Sequence, residues 1–412
     1  MAKNILIIGE CPVSTALAKK LKQDSSIDKI YITTTELKSN KAYEFIDIRE
    51  NNLTELLKFV IENEITLTIP VSTKALKTDI VSFFQTNRQN IFAPTKEACN
   101  IFTNNISQKK FLYKIHAQTA KFGVFDKMQT ALDWLKTANC PVIIKRIEYN
   151  NLDDRLICAT PKLAREFLDI LFSQGEQNVL IEEYVYGHNF TTYYITDGYS
   201  TLPICPVANY KFSKGDTYGL LTNGMGCYTP DYKINETIQV RLNKIASNIT
   251  TTLEKKGNPY VGIFGIDCTI TGEDKFYVNE LKPFFQDYDC TAVLSLIENN
   301  LYNLFFDCIN GIFSDEYTQI QLNNLNSVSA VVAARFNNQI IKKINELDIA
   351  DNLEFYPNCK QNSDGSYITT QGKNFVITRS ASTLNRAKKY LYEDIAEIDF
   401  NGLEYRKDIC LL

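Results

Sequence analysis

The chain has 412 residues, 44% of them hydrophobic and 22% charged, with a formal net charge of −4; that length exceeds one compact core and predicts two to four packed units. The slight acidity argues against a nucleic-acid partner, which needs a basic face, and no stretch approaches the roughly 20 apolar residues that cross a bilayer. The only histidines, His116 and His188, are too few for a histidine metal site or a Ser-His-Asp triad.

The opening MAKNILIIGE has no signal-peptide layout, so its apolar run at 4–9 reads as a first strand. Further strands are predicted at 29–34, 65–71 and 91–92, with helical stretches up to about residue 22 and at 53–63. Alternation of this kind predicts a parallel sheet covered by helices on both faces, a doubly wound domain over 1–96. There is no GxGxxG, so Gly9 is not a dinucleotide fingerprint. Residues 97–120 are predicted helical. PVIIK (141–145) reads as a buried strand, 161–173 as a helix, and 179–184 and 190–196 as strands. A long helix follows at 234–256, then a hairpin of strands 262–270 and 275–281, then helices over 291–312. A last unit, 327–412, alternates strands with turns at Asp364-Gly365 and Gln371-Gly372 and has one helix at 383–395; it reads as a small mixed α/β cap. The eleven cysteines contain no CxxC pair; they read as reduced, mostly buried thiols of a cytoplasmic protein.

The hairpin carries the strongest chemical signal. Asp267 lies inside the apolar run GIFGIDCTI, where an unpaired carboxylate is costly. Glu280 lies on the second strand beside Asn279, and the tight turn lets the two acids converge. Two carboxylates and an amide oxygen suit a hard divalent cation shared with nucleotide phosphates. Lys145 closes a buried strand, so its stem packs while its charge reaches an anion. In VLIEEYV, the backbone up to Val185 is placed to read an adenine edge, with Glu182 accepting from the exocyclic amine and Glu183 beside it. Asn189 is placed for ribose hydroxyls, and Lys211 is set with the nucleotide-binding candidates. Gly224 and Gly226 flank Met225 in TNGMGCYTP, where glycines permit close backbone approach and a nest of N–H donors for an anion.

In these motifs the chain resembles the ATP-grasp superfamily and, more narrowly, glycinamide ribonucleotide synthetase (phosphoribosylamine–glycine ligase). NILIIG resembles that family's first strand, IFAPT (91–95) its IFGPT, TNGMGCYTP its NTGGMGAYSP, and GLEYRKDIC (402–410) its closing strand; PVIIK and LIEEY are similar to its nucleotide-site strands. The resemblance implies an α/β and α+β multidomain chain: a doubly wound N-terminal sheet, an ATP-grasp domain over 97–326 with a flap subdomain at about 118–185, and the C-terminal cap. It implies an ATP-dependent ligase that forms an amide through an acyl phosphate. Magnesium or manganese would be held by Asp267, Glu280 and Asn279, and Lys145, Glu280, Gly224 and Gly226 would serve catalysis. Lys145, Glu182, Glu183, Val185, Asn189 and Lys211 would bind the nucleotide. The substrates implied are an amino acid and a phosphoribosyl amine, with no nucleic acid or membrane involved, for a monomer or homodimer.

The sequence also departs from that family. Its GGREHA is here ECPVSTA (10–16), and its GPExPL is PVSTKA (70–75). The first nucleotide lysine aligns with Asn104-Asn105, with Lys109 or Lys110 near enough to compensate. The glycine-rich flap is RIEYNNLDDRL (146–156), without a glycine. EFNxRFGDPE is ELKPFFQDYD (280–289), so Lys282 replaces a metal-binding asparagine and Phe284 an arginine. Carboxyaminoimidazole ribonucleotide synthetases, with an acidic residue on the earlier strand and NExxPR on the later, are similar to the Asp267 and NELKP arrangement. Two other readings therefore stand: a ligase of the same fold with different substrates, and a non-catalytic nucleotide-binding relative.

Overall fold

Strand β1 (Lys3–Ile8) is apolar on both faces, and Ile5, Leu6, Ile7 and Ile8 are fully buried, as a parallel strand between two helical layers must be. In the computed structural model it pairs in parallel with β2 (Ile27–Thr33) and β4 (Ile65–Pro70), and β3 (Glu44–Ile46) extends the sheet to the order β3-β2-β1-β4. The structure describes residues 2–9, 12–34, 42–147, 155–215, 221–341, 344, 352–362, 364 and 366–411. Residues 10–11, most of the glycine-free flap (148–154) and the glycine of the Asp364-Gly365 turn lie outside the described residues. In place of the strand predicted at 91–92, Ile91 forms an isolated parallel bridge to Thr68.

The helical stretch predicted over 97–120 is two helices, Lys96–Thr103 and Asn105–Lys114. Asn104 ends the first and caps the second, its side chain accepting from the Ser107 N–H, the role a short polar side chain performs best. A four-stranded antiparallel sheet follows, built from β5 (Phe122–Phe125), β6 (Val142–Lys145), β7 (Arg155–Cys158) and β8 (Val179–Glu183) in the order β5-β8-β6-β7. The helices Met128–Leu135 and Pro161–Ser173 bury their apolar stripes against it.

The largest sheet has nine strands. It uses β9 (His188–Asp197), β10 (Thr201–Asn209), β11 (Gly226–Thr229), β12 (Val261–Gly272), β13 (Lys275–Lys282) and β14 (Asn326–Ala334). Three short strands, β15 (Ile340–Ile341), β17 (Lys360–Gln361) and β18 (Tyr367–Ile368), form a separate small sheet; β16 (Leu353–Phe355), β19 (Gly372–Ala381) and β20 (Leu403–Glu404) join the large one. The order is β13-β12-β9-β10-β11-β14-β19-β16, with β20 also on β14. β11 pairs with β14, so one continuous sheet crosses the proposed boundary between 326 and 327. Helix Glu236–Glu254 covers the β9–β12 face through Leu242, Ala246 and Ile249 against Tyr194 and Phe264. The stretch predicted helical over 291–312 is the pair Asp287–Leu296 and Leu301–Asn310, and the first of these packs on helix Pro12–Leu21 of the N-terminal unit. Among the described residues no helix is long and apolar enough to cross a membrane.

Candidate nucleotide site

Asp267 and Glu280 are direct partners in the β12/β13 register, so both side chains leave the same face of the sheet. That face looks onto the end of β6, where Lys145 emerges, and the three residues line one cavity with Arg155, Glu182, Lys211, Asn279 and Lys282. Side chains cross this cleft and leave a cavity of about 70 Å³.

Those crossings are ion pairs. Lys145 Nζ lies 3.0 Å from Glu280 Oε1 and also contacts Glu182, tying the four-stranded sheet to the nine-stranded one. Arg155 of β7 joins the same Glu280 oxygen, and Lys282 Nζ sits 2.7 Å from Glu280 Oε2. Lys109, on helix Asn105–Lys114, donates to Thr119 Oγ1 at 2.6 Å and pairs with Glu182 at 2.6 Å. Lys211 Nζ is 2.6 Å from Asp267 Oδ1, which also accepts from Asn279 at 2.9 Å.

Burial and charge pull these groups in opposite directions. Burial pushes the Glu280 carboxyl up, but Arg155, Lys282 and Lys145 outweigh it and hold the group well below the usual carboxylate range. Glu182 is pushed up by burial and brought below its ordinary value by Lys109 and Lys145. Burial lowers Lys145, yet Glu182 and Glu280 leave its ammonium above its ordinary value. Lys109, with fewer carboxylates beside it, is left lowered by burial.

The structure brings together Lys145, Glu182, Glu183, Val185, Asn189, Lys211, Asp267, Asn279 and Glu280 around one cavity. Asn189 Oδ1 accepts from Thr269, which in turn accepts from Asn279. Glu182, assigned from sequence to an adenine amine, instead lies between two ammonium groups, with only 3% of its surface exposed. Gly224 and Gly226 stand apart from the cavity, where Thr222 and Asn223 represent the loop. The Gly224 N–H goes to Thr222 Oγ1 and the Met225 N–H to the Tyr210 carbonyl, so these two donors are already used inside the protein. Glycine is required there for space: a Cβ on Gly224, at φ +113°, would strike the Tyr288 ring, and one on Gly226 would come within 2.6 Å of the Ser329 carbonyl.

Arg155 and the nearby Asp289 escaped sequence reasoning, whereas Lys109 was already named there as an alternative to Lys110. Arg155 sits at the head of the apolar strand RLIC, directly after Asp153-Asp154 in the sequence, much as Lys145 stands at the tail of PVIIK. Of the two lysines, Lys109 is buried against Glu182, whereas Lys110 is exposed. Asp289, fully buried, accepts from the Tyr193 hydroxyl at 2.7 Å and Asn209 at 3.0 Å, and burial pushes its carboxyl up to about 7.

The donor set fits a divalent cation that arrives with phosphate. Among the described residues no three His, Cys, Asp or Glu side chains gather as a metal cage; Asp267 and Glu280 offer two acidic ligands, and magnesium sites on nucleotides commonly use one or two carboxylates and take the remaining oxygens from phosphate and water.

Family models match nearly all of the first 290 residues. The phosphoribosylglycinamide synthetase N domain matches residues 3–101 and the phosphoribosylglycinamide synthetase ATP-grasp domain residues 103–290. The chain is 26% identical to the phosphoribosylamine–glycine ligase of Caldanaerobacter subterraneus subsp. tengcongensis, covering 98% of this chain and 99% of that protein. It is 24% identical to the bovine trifunctional purine biosynthetic protein adenosine-3, covering 99% of this chain and 42% of the larger protein. The crystal structure of Thermotoga maritima phosphoribosylamine–glycine ligase superposes with a TM-score of 0.80 at 18% identity, covering 99% of this chain and all of that one. A biotin carboxylase from Campylobacter jejuni shares the fold at a TM-score of 0.73 and 14% identity, with 98% and 93% coverage.

Proposed function

The chain belongs to the phosphoribosylglycinamide synthetase family, and from that premise we propose that it is an ATP-dependent carboxylate–amine ligase joining glycine to phosphoribosylamine. The observation that carries this reading is the meeting of Lys145, Arg155, Lys282, Asp267 and Glu280, from two different sheets, in a cleft between those sheets. Five side-chain cations (Lys109, Lys145, Arg155, Lys211 and Lys282) and four carboxylates (Glu182, Glu183, Asp267 and Glu280) gather in and directly behind it. An excess of positive charge in a buried site favours a polyanion, and a nucleotide triphosphate supplies one.

In the reaction, a carboxylate oxygen of the amino acid forms a bond to the γ-phosphorus of ATP, and the bond to the β-bridging oxygen breaks to release ADP. The amine nitrogen then bonds to the acyl carbon, the carbon–oxygen bond to phosphate breaks, and the amine loses a proton. No protein nucleophile is required; position and electrostatics supply most of the rate. On this reading Lys145 and Arg155 meet charge on the transferring phosphoryl group, and the Glu183–Val185 backbone receives the adenine edge. A divalent cation, held by Asp267 and Glu280 when bound, would neutralise phosphoryl oxygens.

A second reading, a ligase of the same mechanism with another amino acid or amine, is favoured by Phe284. It is 5% exposed and packs edge-on to Phe285 at 5.3 Å, so it offers no clamp for an anionic substrate group where the family resemblance places an arginine. ADP release assayed over a panel of amino acids and phosphoribosyl amines decides between them. Turnover with glycine and phosphoribosylamine alone supports the first reading; turnover with another pair but not with these supports the second. Failure of Mg-ATP to raise thermal stability removes both, since ligand at 100 times its dissociation constant adds about 2.7 kcal/mol. The ten described cysteines are free thiols and nine are buried, which supports a cytoplasmic location.

A further inference from the structure

Glu280 is the most heavily neutralised acid in the cleft. Its Oε1 meets Lys145 and Arg155, and its Oε2 meets Lys282. Lys282 follows Glu280 by two residues on β13, so both side chains leave the same face, and Lys282 is only 8% exposed. A divalent ion approaching Glu280 would have to displace one of these protein cations. Conversely, a triphosphate entering the cleft meets fixed positive charge before any metal arrives.

We propose that Lys282 is a tethered cation serving at Glu280 the neutralising role of a divalent ion, so that this chain binds the ATP polyphosphate without needing a metal to bring it in. The inference rests on the nucleotide reading of the cleft and adds a specificity: the site accepts metal-free ATP as well as the metal complex. Buried charge at contact distance is worth at least about tenfold in binding even at a high effective dielectric, so removal of the Lys282 charge should be plainly visible.

The test is calorimetric titration of the full chain with ATP, once in EDTA and once in excess magnesium, for wild type, Lys282→Met and Lys282→Arg. Wild type is expected to bind in EDTA with an affinity within about tenfold of its magnesium value. Lys282→Met, which keeps an unbranched apolar stem, is expected to lose at least about tenfold in EDTA and distinctly less in magnesium. Lys282→Arg, which restores the charge, is expected to follow wild type. Wild-type binding only in magnesium overturns the inference while leaving the nucleotide site intact, and that measurement does not depend on any variant folding. Equal EDTA affinities for wild type and Lys282→Met also overturn it. No binding under either condition removes the nucleotide reading itself, and the inference with it.

Discussion

Glu280 and Asp289 stand nine positions apart, both almost entirely removed from solvent, and their protonation is driven in opposite directions. Glu280 is ringed by three cationic side chains and held well below the usual carboxylate range. Asp289 accepts from two neutral donors, Tyr193 and Asn209, and rises to about 7 under burial. Burial pushes both upward. What separates them is the charge of their partners: hydrogen bonds from a phenol and an amide do not replace the solvation an ionised carboxylate loses, whereas three cations more than do so. One region is therefore built to stay charged and attract a polyanion, and the other to hold a proton near neutrality.

The largest expected effect comes from removing the charge on the first side. Glu280→Gln keeps the shape but leaves Lys145, Arg155 and Lys282 facing one another, and breaking a buried ion pair from one side costs about 3–5 kcal/mol. Turnover, measured as ADP formation, is expected to fall by roughly a thousandfold, the loss typical when one major electrostatic group is removed from a reacting site. The variant should also melt earlier, and ATP should stabilise it by less. Wild-type turnover in Glu280→Gln would take this acid out of the reaction and leave it a purely structural counter-ion.

Asp289 sharpens the contrast through pH. Its folded-state value of about 7 lies above the ordinary 3.8, so between those limits the folded chain holds a proton that the unfolded chain has lost. Stability from this group is complete below about pH 4, falls as pH rises and is gone above about pH 7. Roughly three units correspond to on the order of 4 kcal/mol. Asp289→Asn carries no titration, so its denaturation midpoint should be much flatter over the same range, and the variant should gain on wild type toward pH 8. Parallel pH curves for the two proteins would show that Asp289 titrates normally. Glu280 works with the opposite sign: its stabilisation is present above its ordinary value and lost only as pH falls through its depressed one.

This difference was only partly legible in the sequence. Asp267 and Glu280 were visible as acids on facing strands of one hairpin, a local inference, and the two-residue turn at Glu273-Asp274 sets the register that makes them direct partners. Lys145 was visible as a charge at the end of an apolar run. The cage was not, because its bonds are long-range: Lys145 reaches Glu280 across 135 residues and Arg155 reaches it across 125. Neither number follows from periodicity, which orders residues within an element and says nothing about which elements face one another. Asp289 was hidden for the same reason, since its donors are 80 and 96 residues away. The β11–β14 pairing, which makes one sheet of strands assigned to two domains, is a further contact between segments far apart in the chain.

The smallest effect tests the weaker side of the comparison. The Tyr193 hydroxyl donates to Asp289 Oδ2 and favours the ionised form, against burial and the nearby Asp267 charge. Tyr193→Phe deletes that donor with little change of shape. One neutral hydrogen bond is worth about 1 kcal/mol net, so the Asp289 carboxyl should rise by somewhat less than one unit above its present value. The sign then follows: because the folded-state value moves up and the unfolded one does not, the decline of stability with pH should run to higher pH in Tyr193→Phe than in wild type. Urea midpoints taken at half-unit steps from pH 5 to 9 resolve this, with the slope of each transition as the check that the unfolded state is unchanged. A decline that ends at the same pH in both proteins would mean that Tyr193 does not restrain the carboxyl and that burial alone sets it. The contrast with Glu280 would then be one of charge against empty surroundings, not of charged donors against neutral ones.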